Sequence, residues 1–183
     1  VIYLSTFSKI LFPGLRVGWM TASRPVIKQF SLVKQMADLH ANSISQWLID
    51  SFLTKGLLQK HMKDIRREYC RRRDAMLGAL REYAPESVEW NVPEGGFYLW
   101  CRLPEGVIQS KLLAKAAERK VAFVTGDAFY LEGQGQNFIR LSFTFNHPEQ
   151  IREGIKRLMD AIREISSENS SNNAKRIEIK PIF

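Results

Sequence analysis

The sequence predicts an α/β protein that combines the remnant of a larger sheet, long connecting helices and a small α+β domain. A buried apolar strand is predicted at Val1–Leu4, the middle of the chain has helical periodicity, and a β-β-α-β-β-α order begins at Ser87. We therefore predict four regions: the C-terminal remnant of a large domain over 1–40, interdomain helices over 41–85, a small α+β domain over 86–166, and a polar flexible linker and tail over 167–183.

The first strand is followed by a loop rich in hydroxyl residues that contains Lys9, and Leu15–Ala22 predicts a second short strand. A domain rarely begins in the middle of a sheet. The chain also starts with Val1 rather than with methionine. We therefore expect it to be an incomplete C-terminal portion of a longer protein.

Three helices are predicted next. Pro25 suits the first turn of one helix, and Ser43 is expected to cap a second helix that Gly56 ends. A long third helix is predicted over Leu57–Tyr83, because its apolar residues recur three and four positions apart and Pro85 follows.

The small domain is predicted from short strands and from the regular spacing of its last helix. Its four predicted strands are Val88–Val92, Phe97–Arg102, Val121–Val124 and Asn137–Thr144. In the last of these, Ile139, Leu141 and Phe143 alternate with Arg140, Ser142 and Thr144. We expect the apolar set to face the core and the polar set to face away from it.

Composition narrows the class of protein. The 183 residues are 45% hydrophobic and 25% charged, which is typical of globular domains and excludes disorder throughout. No apolar run reaches the roughly 18 residues of a membrane span, so no membrane partner is expected.

Cys70 and Cys101 form no Cys-x-x-Cys pair, no secretory signal is seen, and a cytoplasmic protein is predicted. His40, His61 and His147 lack metal-ligand spacing, and no metal site is predicted.

The net charge is +8, and half of this excess lies within residues 60–83. Such a stretch could attract phosphate groups or anionic substrates. The favoured interpretation is the solvated face of a long amphipathic helix.

The loop around Lys9 carries residues suited to carbonyl chemistry. A neutral lysine amine condenses with a carbonyl to form a Schiff base, and partial burial or a nearby cation such as Arg16 favours the neutral amine. The hydroxyls of Thr6 and Ser8 and the guanidinium of Arg16 suit the binding of a phosphate. On spacing alone, an ordinary lysine in a surface loop is the favoured interpretation.

The run Thr6-Phe7-Ser8-Lys9, followed by Pro13-Gly14-Leu15-Arg16, resembles the Schiff-base signature of fold type I pyridoxal-phosphate aminotransferases of class I/II. The resemblance is to the subgroup of 2-aminoadipate and kynurenine aminotransferases and MocR-like regulators. It implies the C-terminal part of a fold type I transferase in which Lys9 is the catalytic residue and binds the aldehyde of pyridoxal 5'-phosphate. It further implies that Thr6, Ser8 and Arg16 bind the cofactor phosphate. Many members have serine at the position of Thr6, and threonine keeps the hydroxyl.

Further matches follow along the chain. Glu94–Trp100 resembles the Gly-Gly-aromatic strand of the family, and Val124–Tyr130 resembles the loop before its last active-site strand. The resemblance places Arg140 on the arginine that binds the substrate α-carboxylate. From the residues alone, an arginine on the polar face of a strand is usually solvated, whereas its planar fork suits a carboxylate.

The resemblance implies an aminotransferase that moves an amino group between an α-amino acid and a 2-oxo acid through a Schiff base on Lys9. It also implies a homodimer in the full-length protein. The alternative is the effector-sensing domain of a MocR-type transcription regulator, and nucleic acid is a partner only if a DNA-binding domain precedes the chain. Family residues that hold the cofactor ring lie upstream of the lysine and have no match here, so we expect this chain alone to be inactive.

Overall fold

The computed structural model describes residues 1–177, with side chains to residue 169. Its strands are β1 (Tyr3–Thr6), β2 (Gly18–Thr21), β3 (Glu89–Trp90), β4 (Tyr98–Arg102), β5 (Val124–Thr125) and β6 (Phe138–Ser142). Its α-helices are α1 (Arg24–Ala37), α2 (Ser43–Thr54), α3 (Leu57–Tyr83), α4 (Gln109–Glu118) and α5 (Pro148–Ile177). Among the residues described, no helix has the length and apolar character needed to cross a membrane.

The chain divides into two compact units, Val1–Arg67 and the remainder from Glu68. The division falls inside α3. It does not decide the predicted domain boundaries, which stay predictions.

In the first unit, β1 and β2 form a two-stranded antiparallel sheet in which Thr6 pairs with Gly18. The strand predicted at Val1–Leu4 is present but lies two residues later, and its expected burial is wrong because Leu4 is 70% exposed. No second layer of this unit covers the sheet. The small core of the unit lies elsewhere, around Leu15, Val17 and Ile49.

The helices of the middle region begin and end close to their predicted positions. The bounds of α3 are those predicted. Asn42 caps α2, not Ser43 as predicted, because its Oδ1 accepts a hydrogen bond from Ser45 N at 3.0 Å. Asparagine and serine cap helices about equally well, so the side chain one position earlier takes the role. Gly56 follows α2 with a φ of +65°, a conformation that suits glycine.

The second unit contains an antiparallel sheet in the order β3-β4-β6-β5. The predicted β-β-α-β-β-α order is confirmed, although β3 and β5 are shorter than expected. Ile139, Leu141 and Phe143 are all buried, which confirms the predicted inward face of β6. They join apolar side chains of α3, β4, α4 and α5 in one core. Arg140 is left on the opposite face of the sheet.

The last helix extends beyond the predicted end of the small domain. We expected residues 167–183 to be a flexible linker and tail, but α5 continues through Ile177. Contacts with a distant part of the chain hold this extension: Lys115 Nζ on α4 lies 2.6 Å from Glu164 Oε1 and 2.7 Å from Glu168 Oε1. These carboxylates lie far along the sequence from Lys115, so local composition does not reveal the pairing. The end of the predicted tail, residues 178–183, lies outside the described residues.

Candidate functional site

The loop after β1 is shaped by Thr6. This residue caps the 3-10 turn Phe7–Lys9, and its Oγ1 accepts a hydrogen bond from Ser8 N at 3.1 Å. Phe7 N donates to Val17 O at 3.0 Å, which places the turn beside the residues that lead into β2. The fold thus brings the backbone of the predicted cofactor residues Thr6, Ser8 and Lys9 next to Arg16 and Val17.

The two hydroxyls of this loop form a pair. Thr6 Oγ1 lies 3.0 Å from Ser8 Oγ and 3.2 Å from Val17 O. A hydroxyl has one proton to donate, so Thr6 serves only one of these acceptors at a time. When Ser8 Oγ accepts the hydrogen bond from Thr6, the proton of the Ser8 hydroxyl points away from Thr6. The pair can therefore offer a hydroxyl donor to an anion.

Arg16 has an unusual backbone conformation. Its φ of 52° and ψ of 36° lie in the left-handed region, which a residue with a side chain adopts at a cost of about 1–2 kcal/mol. Such strain is often found at functional sites. The side chain is exposed, and its Nη1 donates to Pro13 O at 3.2 Å. A guanidinium has further donors, and these leave Arg16 able to bind an anion.

The residues of this loop fit a ligand that carries both a phosphate and an aldehyde. Two hydroxyls and a guanidinium are the donor types that bind phosphate. Lys9, the last residue of the turn, is exposed and so can be reached by a ligand. Lysine supplies the amine that condenses with a carbonyl.

Arg140 lies on the outer face of β6, where it pairs in register with Trp100 of β4. Its Cζ is 4.0 Å from the ring centroid of Tyr98 and 4.6 Å from that of Phe129. Its Nε is buried, and no hydrogen-bond partner for it exists among the described residues. Arg140 also forms no ion pair within the side chains described here, so its charge is available to an anionic ligand.

Sequence reasoning missed the two aromatic rings that contact Arg140. Tyr98 carries a detectable signal, because it lies two positions before Trp100 and therefore on the same face of β4. Phe129 carries none, since it lies at the end of the 3-10 turn Gly126–Phe129 rather than on a strand. Its position depends on how that turn packs.

The turn that carries Phe129 requires glycine at position 126. A Cβ atom there would lie 2.7 Å from Phe138 Cβ and would also overlap Gly135 O. We expect Gly126→Ala to lower the free energy of unfolding by about 1–3 kcal/mol, as overpacking does elsewhere. Urea denaturation measures this change.

Gly154→Ala is the matched control for that substitution. Gly154 lies inside α5, and no atom of the described residues lies within 4 Å of an added Cβ there. Alanine there is expected to raise the free energy of unfolding by up to about 1 kcal/mol. If Gly126→Ala leaves the free energy of unfolding unchanged, the turn accommodates the added methyl group and does not require glycine.

The arginine-rich part of α3 is largely paired within the chain. Glu68 receives hydrogen bonds from Arg71 and Arg72, and these bonds lower the pKa of its carboxyl. Arg72 also donates to the carbonyl oxygens of Thr144 and Phe145, just after β6. These contacts favour a structural role for this stretch over a phosphate-binding one.

The cysteines and histidines form no metal-binding cluster within the part of the chain whose side chains are described. Cys70 and Cys101 are free, and burial raises the pKa of the Cys101 thiol to about 12, which makes it unreactive. Across the side chains described, no group of histidine, cysteine or carboxylate residues could hold a metal ion.

Comparison with known proteins links these sites to one family. The sequence profile of "Aminotransferase class I and II" matches residues 1–158. The aromatic-amino-acid aminotransferase 1 of Thermococcus litoralis is 46% identical over 164 residues, which are 90% of this chain and 39% of that protein. The HTH-type transcriptional regulator YdfD of Bacillus subtilis is 34% identical over 91% of this chain and 34% of its own length.

A solved structure confirms the predicted fold. LysN, an α-aminoadipate aminotransferase of Thermus thermophilus complexed with N-(5'-phosphopyridoxyl)-L-leucine, superposes with a TM-score of 0.87 at 38% identity. The match covers 91% of this chain and 43% of LysN. The chain therefore spans about two fifths of the length of the relatives it matches. It has the fold of the C-terminal part of a fold type I transferase, whose cofactor is pyridoxal 5'-phosphate.

Proposed function

The chain belongs to the family of class I and II aminotransferases, and on this premise we propose that its protein transfers amino groups between α-amino acids and 2-oxo acids. The observation that carries the proposal is the hydroxyl pair of Thr6 and Ser8, in the turn that ends at Lys9. This turn combines an exposed amine with donors suited to the phosphate of pyridoxal 5'-phosphate.

Each residue of the loop has a separate role. Lys9 Nζ would hold the aldehyde carbon of the cofactor, with the aldehyde oxygen leaving as water. Ser8 and Arg16 would donate hydrogen bonds to its phosphate, and Thr6 would bind the phosphate by turning its hydroxyl away from Ser8 Oγ and Val17 O. When bound, pyridoxal phosphate supplies the electron sink that stabilises negative charge at the substrate Cα. The amine of Lys9 would be the base that takes the proton from the substrate Cα. A base tethered in the site needs no diffusion to reach that atom.

In the second unit, Arg140 binds the α-carboxylate of the substrate. Its guanidinium has no anionic partner among the described side chains, and its planar fork matches a carboxylate. A lysine ammonium would supply a charge there but not two parallel hydrogen bonds.

The remaining features of the proposal combine the sequence with the family resemblance. We infer a cytoplasmic homodimer that takes an amino acid as donor and a 2-oxo acid as acceptor. The Thermococcus litoralis relative acts, by its name, on aromatic amino acids, and LysN acts on α-aminoadipate. Both types of donor belong in a first substrate screen.

Reductive trapping tests the central assignment. The purified protein is incubated with pyridoxal phosphate, reduced with borohydride, digested and analysed by mass spectrometry. A phosphopyridoxyl group is expected on Lys9, with Lys28 of α1 as the reference for unspecific labelling of an exposed lysine. Labelling of Lys9 no greater than that of Lys28 contradicts the proposal.

A second candidate is the effector-sensing domain of a transcription regulator. The similarity to YdfD favours it, since that relative matches over nearly all of this chain. Trapping at Lys9 does not separate the two functions, because a regulator can keep the cofactor loop. Turnover of amino donors by the native protein, measured beside its binding to DNA, does separate them.

A further inference from the structure

We propose that Tyr98 and Phe129 are positioning residues that clamp the Arg140 guanidinium, so that only its two terminal nitrogens are offered to a carboxylate. We call these two rings the aromatic clamp. The inference rests on the proposed role of Arg140 and adds how the arginine is held and which of its atoms bind.

Both rings lie within cation–π distance of the guanidinium. The distances of 4.0 Å to Tyr98 and 4.6 Å to Phe129 are well inside the limit of about 6 Å for this interaction. The ring faces carry partial negative charge. They therefore stabilise the cation without using any of its N–H donors.

The burial of Nε determines which N–H donors of Arg140 remain available to a ligand. The Nε of Arg140 has no accessible surface and no acceptor among the described residues. A carboxylate that binds the side of a guanidinium needs Nε and one terminal nitrogen. Because Nε is covered, this geometry is blocked, and the bidentate pair left for a ligand is Nη1 with Nη2.

Neighbouring rings hold the clamp in place. Phe129 makes an edge contact with Trp100, at 5.4 Å between centroids, and Trp100 stacks on Phe138 at 5.6 Å. Tyr98 makes an edge contact with Phe97 at 6.2 Å. These contacts restrain two rings that are themselves partly exposed, Tyr98 at 37% and Phe129 at 47%. A restrained guanidinium loses less rotamer freedom on binding.

The test uses the native protein with its arginine side chains labelled with ¹⁵N, and acetate as the probe. The Nε–H signal of Arg140 is assigned by its loss in Arg140→Lys. We expect this proton to exchange slowly with water, and acetate to shift the terminal N–H signals much more than the Nε–H signal. Exchange as fast as that of the exposed Arg102 overturns the clamp, and so does a dominant shift at Nε.

Variants of the two rings give a second measurement. Tyr98→Leu and Phe129→Leu are each expected to speed the exchange of the Arg140 Nε proton and to weaken acetate binding about 10-fold, within the strength of a cation–π contact. Tyr98→Phe keeps the ring and is expected to retain both properties. Phe145→Leu, at an exposed position of the same unit, is the control. Wild-type behaviour of both leucine variants overturns the inference.

The same titration separates this inference from the proposed function. Acetate binding is read from the backbone amide of Ser142, on the same face of β6 as Arg140. If Arg140→Lys binds acetate as tightly as the wild type, the carboxylate role of Arg140 is wrong. If only that variant loses binding and the ring variants keep it, the role stands and the clamp is wrong.

Discussion

In the full-length protein, replacing Lys9 by alanine is expected to abolish the covalent attachment of pyridoxal phosphate and to lower the rate of amino transfer by about 10³-fold or more. The substitution removes both the amine that binds the aldehyde and the base that moves the Cα proton, and a positioned base alone contributes about 10²–10⁴-fold. The absorbance of the bound cofactor measures the loss of attachment, and fixed-time assays of amino transfer measure the loss of rate.

Lys9→Arg is the matched variant, because it keeps the positive charge but has no amine able to condense with an aldehyde at neutral pH. It is expected to behave like the alanine variant. Since Lys9 is exposed, neither change should move the free energy of unfolding by more than about 0.5 kcal/mol. Attachment that persists in both variants, at a stoichiometry of one per chain, contradicts the assignment of Lys9.

The elements that were predicted correctly are those whose pattern of apolar and polar residues lies within the element itself. The α3 helix has an apolar stripe over its whole length and a proline just beyond its end, and its bounds were predicted to the residue. Strand β6 shows its two faces in the alternation of Ile139 and Leu141 with Arg140. The partner surface of β6, and that of α3 from Glu68 onward, lies in the core of the second unit, so the periodic signal and the packing agree there.

The features that sequence reasoning missed depend on contacts between distant residues. The extension of α5 rests on ion pairs from Lys115 to Glu164 and Glu168, which no local pattern reveals. Leu4 reads as a buried strand residue but is exposed, because no other layer of its unit covers that sheet. The ring of Phe129 reaches Arg140 only because Gly126 allows a tight turn against Phe138.

The loop around Lys9 shows a third situation. Its motif could be recognised because four residues suited to binding one cofactor lie close together in sequence. The hydrogen bond from Thr6 to Ser8 and the left-handed backbone of Arg16 could not be predicted from the same residues. Local chemistry therefore suggested the candidate residues, the family resemblance assigned their roles, and the fold added how their donors are directed.

Replacing Arg140 by lysine is expected to raise KM for the amino acid substrate about 10–100-fold and to change kcat much less. Lysine keeps the charge but loses one of two parallel hydrogen bonds, and a bond to a charged group contributes about 1.5–3 kcal/mol. The substrate carboxylate keeps the same charge throughout the reaction. The lost bond therefore weakens binding of substrate and transition state alike, which is the pattern that raises KM alone.

Arg102→Lys is the control for that measurement, because Arg102 also lies in the sheet of the second unit but pairs with Glu89 at 3.5 Å and is half exposed. It should leave both kinetic constants unchanged. A fall in kcat of Arg140→Lys with KM unaffected would place Arg140 at the reacting atoms rather than at the carboxylate. A carboxylate-free amine donor distinguishes the two roles directly, since its turnover should be insensitive to Arg140→Lys only if the arginine binds the carboxylate.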